Sequence, residues 1–254
     1  MRVALSLVMV SAVAGAAVAD DGVAPQVITI PTAWTQPTTA IYATADGDHR
    51  FGSSARATLS YARLVDVDVG GDELLTSCAP CTGVTRATDG VRQYTAGWKL
   101  SLRPWRGGAV ATGVRVPFGH RDRARAATAY AVVSAQLGPV RLHAGASTWA
   151  SEHDAADGSL IHLDPRSTVR PLAGLEWTPT IYPRTTVLAD LQWTPELGPT
   201  AADTAPRWLF AWGVRYRALS WSAIELGVRH REGDDLGGAT VMVRLSAILS
   251  ARPR

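Results

Sequence analysis

Between Ala55 and Tyr61 the apolar side chains take alternate positions (Ala55, Ala57, Leu59, Tyr61), with Arg56, Thr58 and Ser60 between them. The same period of two returns along most of the chain. Tyr94, Ala96, Trp98, Leu100 and Leu102 oppose Gln93, Thr95, Lys99 and Ser101, and Val140, Leu142, Ala144 and Ala146 oppose Arg141, His143 and Ser147. Val187, Ala189, Leu191 and Trp193 oppose Asp190 and Gln192, and Trp208, Phe210, Trp212, Val214 and Tyr216 oppose Gly213, Arg215 and Arg217. Ile224, Leu226 and Val228 oppose Glu225 and Arg229, and Val241, Val243 and Leu245 oppose Arg244 and Ser246. A strand sends successive side chains to opposite faces, whereas a helix would scatter each of these sets around its circumference. The pattern predicts an all-β chain.

Residues 51–54, 104–107, 137–139, 179–184 and 218–220 read as short turns, and 70–90, 119–125, 151–167, 195–206 and 231–237 as longer loops. This alternation of short and long is the asymmetry of a transmembrane barrel, with tight inner turns and long outer loops. Eleven strands follow from Thr39 onward, an odd number. An up-and-down barrel with both chain ends on one side needs an even one. Val27 to Thr32 supply a further upward strand, with residues 34–38 as its outer loop, although Pro31 removes a ladder donor there. The expectation is a transmembrane antiparallel up-and-down barrel of 12 strands, with 10 as the alternative.

A soluble sandwich also alternates, but the aromatic residues favour a bilayer. Trp105, Trp177, Tyr182, Tyr216 and Trp221 collect near the short turns, and Trp34, Trp193 and Trp208 near the long loops. Two such girdles place rings half in hydrocarbon and half among headgroups. No run of eighteen apolar residues follows residue 19, so a helical span is not expected.

Composition then sets the compartment. Arg2, the uncharged stretch from Val3 to Ala17 and the small-x-small ending Ala17-Val18-Ala19 form an export signal, so residues 1–19 are expected to be removed and residues 20–254 to form the barrel. Without Arg2 the formal charge falls from +3 to +2, and the basic residues form no stripe, which argues against a nucleic-acid partner. Cys78 and Cys81 have no second pair to complete a zinc site, and in an exported protein they read as a loop disulfide. Signal, alternation, loop asymmetry and girdles together make the mature chain resemble the Gram-negative outer-membrane β-barrels, without the motif of one particular family. The resemblance implies outer-membrane lipids and the barrel-assembly machinery as partners, and no cofactor.

The polar faces carry Arg56, Lys99, Arg115, Arg141, Arg170, Arg215, Arg229 and Arg244, with Asp46, Asp48, Glu176, Asp190 and Glu225 as acids. If the apolar faces meet lipid, these residues line the lumen. They then form either a narrow, mildly cationic path for small polar or anionic solutes or a set of pairs that fill a closed interior. The function expected is a narrow porin-like channel, with a structural or adhesive barrel and an outer-membrane lipid hydrolase as alternatives. Asp66 to Glu73 (DVDVGGDE) has the carboxylate density of a calcium loop but lacks the distal glutamate, and His153, Asp154, Asp157 and His162 share one loop. Neither is expected to hold a metal. His120 and His230 read as rim residues. His143 and Ser147, four positions apart on one strand, are too far apart for a catalytic pair, and no G-x-S-x-G or HExxH motif is present.

Overall fold

The computed structural model describes residues 26–35, 39–48, 53–77, 88–119, 124–154, 158–197, 205–233 and 239–250. The alternating segments are strands: β1 (Ala40–Asp48), β2 (Ser53–Tyr61), β3 (Val65–Ser77), β4 (Thr88–Trp105), β5 (Gly108–Phe118), β6 (Ala124–Leu137) and β7 (Val140–Asp154). They continue as β8 (Leu160–Leu163), β9 (Arg170–Trp177), β10 (Thr185–Glu196), β11 (Ala205–Leu219), β12 (Ser222–Arg231) and β13 (Thr240–Ser250). Each wall strand pairs antiparallel with the next. β1 then pairs with β13 from Ala40↔Ser250 to Asp48↔Met242, which closes the sheet. The short β8 folds back on the outer end of β7 (Asp154↔Leu160), while β9 rejoins the lower part of β7 (Val140↔Trp177), so 12 strands make the wall.

One of the twelve is not the strand expected. Val27 to Thr32 do not enter the wall, and the additional strand is β3, from a stretch read as loop and as a possible calcium site. A tight turn separates it from β2. Ala62 (φ 53°) and Arg63 (φ 60°) are both left-handed, and Leu64 N donates to Tyr61 O at 3.0 Å. This is type I′ geometry built without the Asn-Gly that normally announces it. The inserted turn also reassigns the β1–β2 connection around residues 51–54. That connection joins the ends of β1 and β2 remote from Ala40 and Ser250, the end that also carries the long loops.

Outward positions are apolar around the whole circumference. Ile41, Leu59, Val67, Trp98, Leu142, Leu191, Trp212, Leu226 and Val243 are between 38% and 58% exposed. Water penalises so continuous an apolar belt and a bilayer does not. Closure also leaves no edge whose backbone groups would lack partners in lipid.

The interior is not purely polar. Ala109, Ala111, Val132, Leu172, Leu188, Ala211 and Met242 form an apolar patch on the inner wall, and Val27, Ile28, Ile30, Ala33 and Trp34 pack on it. Residues 26–35 therefore lie inside the barrel. Trp34, expected near the outer girdle, is buried there at 7% exposure. Small inward residues make the room: a Cβ at Gly174 would stand 2.5 Å from Ile30 Cδ1.

Candidate functional site

The site is the lumen, and strand register builds it. Arg215 stands opposite Glu225, Glu225 opposite Arg244, and Arg244 opposite Asp46, in one row across β11, β12, β13 and β1. Side chains directly opposite one another on adjacent strands are the closest inward neighbours available, so these residues pair. Arg215 Nε lies 2.6 Å from Glu225, Arg244 Nη1 3.2 Å from Glu225, and Arg244 Nη2 3.1 Å from Asp46. The row extends to Arg229 at 4.0 Å from Asp46, and through Glu176 to Arg215 at 3.2 Å and Arg141 at 3.5 Å. On the opposite wall Asp68 receives both Arg56 and Arg115, and Asp66 holds Lys99 at 2.5 Å. DVDVGGDE thus supplies two inward carboxylates to fixed cations, and among the described residues no cluster suits a metal ion.

Arg170 lies toward the outer end of the wall, opposite Ser147. Its guanidinium lies over the ring of Trp193, 6.0 Å from the centroid, and it donates to Val169 O at the first position of β9. Several aromatic residues lie toward the two ends of the wall. Trp105, Trp177, Tyr182, Tyr216 and Trp221 lie toward the inner turns, while Trp193 faces Trp208 across the outer part of β10 and β11. Tyr94 and Phe118, 6.2 Å apart, add to the outer set. The sequence reading passed over both, although each is an apolar aromatic close to the outer end of its strand.

Residues 26–35 cross the inner half of the lumen, held largely by their backbone. Asp190 accepts from the N–H groups of Ile28, Thr29 and Ile30 at 2.7, 2.6 and 3.2 Å, and from Thr29 Oγ1 at 2.6 Å. Arg215 donates to Gln26 O and Val27 O, and Arg244 to Ile28 O. Across the lumen Lys99 donates to Thr32 O and Trp34 O, Ser101 to Ala33 O, and Arg103 to Thr35 O. Ala33 N donates to Ser134 Oγ, which bonds His143 Nδ1 at 2.7 Å. No alternation marks this arrangement, because the segment turns back on itself, with Val27 N on Ile30 O, instead of pairing as a strand.

Above the segment lies an outer vestibule of about 290 Å3. Its floor includes Gln26, Thr29 and Pro31. Among the described residues, Arg56, Arg115, Arg229, Arg231 and Arg244 line it, with Asp46 as the one carboxylate. Beside the segment, a gap between Pro31, Tyr42, Lys99 and Tyr130 measures about 20 Å3. That is room for about one water.

The remaining candidates are not brought together. His143 contacts Ser134 rather than Ser147, and its Nε2 has no hydrogen-bond partner, so no carboxylate orients that imidazole. Glu152 opposes His162, while His153 faces inward, buried at 2% exposure. His230 stacks on Trp208 with centroids 5.7 Å apart. Cys78, Cys81, His120, Asp157, Asp234 and Asp235, like the export signal, lie outside the described residues.

No family model and no curated protein matches this sequence. Among solved structures the chain is similar to the KdgM porin in complex with disordered oligogalacturonate, at 7% identity and a TM-score of 0.53 over 84% of this chain and 99% of that one. A second KdgM porin structure gives 7% identity and a TM-score of 0.51 over the same shares. The fold is that of the outer-membrane β-barrels.

Proposed function

We propose that this protein is an outer-membrane channel of porin type for small anionic or polar solutes, reaching that membrane after removal of residues 1–19. The vestibule carries the reading: among the described residues, five arginines and one aspartate line a cavity of about 290 Å3 inside a closed barrel. Clustered cations between low-dielectric walls concentrate anions by long-range attraction, and their guanidinium groups match carboxylate and phosphate oxygens. The test is ion conductance of the refolded chain in a planar bilayer, after heat-modifiable gel migration has shown the barrel folded. Discrete steps with anion preference support the channel. A folded barrel silent at every voltage overturns it and favours a structural barrel acting through its outer loops, the reading to which the occupied inner half of the lumen gives weight.

A further inference from the structure

We propose that the inner half of the lumen is a peptide-binding site whose ligand is residues 26–35 of the same chain, and that this segment is a dissociable plug latched by Asp190. The inference rests on the channel reading in so far as it assigns that channel a closed state.

Three observations carry it. First, the wall recognises backbone rather than side chains. Four N–H groups and seven carbonyls of the segment are bonded by wall side chains. A layer that belonged to the wall would bond through a strand ladder; only a single isolated bridge, Gln26↔Pro31, forms within the segment, and it closes a turn with Val27 N on Ile30 O.

Second, the buried cations that grip the segment keep wall partners without it. Arg215, Arg244 and Lys99, which grip its carbonyls, each also hold a wall carboxylate: Glu225 and Glu176, Glu225 and Asp46, and Asp66. Departure of the segment therefore strands none of these cations, the step that makes breaking a buried ion pair costly. Asp190 is the exception, since its hydrogen bonds go to Ile28, Thr29 and Ile30. Among the described residues it is the buried wall charge whose bonds all go to the segment, which makes it the latch; Arg103, exposed at the inner end of β4, also meets the segment, at Thr35 O and the Trp34 ring.

Third, the segment blocks the path. The vestibule is floored by Gln26, Thr29 and Pro31, and the gap of about 20 Å3 beside Pro31 has room for about one water. The apolar patch under Val27, Ile28, Ile30 and Trp34 holds the closed state at rest, because opening wets it.

The test uses the full chain with Cys78 and Cys81 changed to Ser, in two arms. In the first, Ile30→Cys and Gly174→Cys are combined, since a Cβ at Gly174 reaches the volume of the Ile30 side chain. Oxidation should form the crosslink and abolish openings in a planar bilayer, and reduction should restore them. Failure to crosslink, or openings that persist equally in the oxidised and reduced forms, overturns the plug. The second arm needs no conductance. Ile30→Cys alone is labelled with a membrane-impermeant thiol reagent in the folded barrel, and Asp190→Asn should raise the labelling rate at least tenfold. If Asp190→Asn fails to show heat-modifiable migration, Thr29→Ala, which removes one latch bond, should raise it severalfold. A rate unchanged by the latch variants, or a cysteine never labelled, overturns the proposal. A barrel that labels in this way but never conducts refutes the channel reading and leaves the peptide site standing.

Discussion

Glu225 is 1% exposed and sits between two guanidinium groups, Arg215 at 2.6 Å and Arg244 at 3.2 Å. Truncating it leaves both without one carboxylate in a water-poor interior, a change that costs about 3–5 kcal/mol where a buried pair is broken. Glu225→Ala should therefore lower the urea midpoint of the refolded barrel in detergent micelles by that equivalent. Arg125→Ala is the contrast. Its bond to Glu152 joins side chains 50% and 31% exposed, and exposed pairs contribute about 1 kcal/mol or less. Similar shifts for both variants would refute the view that the interior row is structurally important. At this scale the sequence shows which side of a strand Glu225 or Arg244 takes, because the period of two is strict. It does not show what either meets there, because that depends on the register of neighbouring strands. Arg170 illustrates the limit: its register partner is Ser147, yet its guanidinium lies over the Trp193 ring.

Among the elements, the β2–β3 turn explains both the misread strand and a testable strain. Ala62 and Arg63 hold positive φ, at a cost of about 1–2 kcal/mol for each residue bearing a Cβ. Ala62→Asn with Arg63→Gly keeps the turn and relieves that strain, so the double variant should unfold later in urea, by about 1 kcal/mol or more. Earlier unfolding would show that the turn is not of type I′. Gly145 tests the opposite case. A Cβ there would stand 2.0 Å from Ala131 O, a backbone atom held by the β6–β7 ladder. Gly145→Ala should destabilise the barrel by about 1–3 kcal/mol, the usual cost of overfilling a close-packed site, read as a lower temperature of gel-mobility change. The alternation in β4, β7, β10 and β11 was legible because each has an apolar lipid face and a polar lumen face. β3 was legible only in part, since Gly70, Gly71 and a run of carboxylates mimic a loop. Val27 to Thr32 misled in the other direction: an apolar run ending in proline satisfies its backbone inside a lumen as readily as a strand does in a wall.

For the whole molecule, closure and the lipid-facing belt follow from local patterns repeated around the chain. The occupant of the lumen does not, because nothing in residues 26–35 states which of two walls they will touch. Charge selectivity is also a property of the whole, and the vestibule sets its expected sign. Arg115 faces that cavity and shares Asp68 with Arg56. Removing the Arg115 charge with Arg115→Gln subtracts from the field an arriving anion meets, whereas Arg170→Gln subtracts a charge held against Trp193 at the strand end. Reversal potentials across a salt gradient should shift toward zero selectivity for Arg115→Gln and stay at the parent value for Arg170→Gln. The difference should be largest near 0.1 M salt, where the screening length of about 10 Å spans the vestibule, and should shrink at 1 M, where it falls to about 3 Å. Equal shifts for the two variants, or a difference independent of salt, would mean that the vestibule arginines do not set the field that solutes feel.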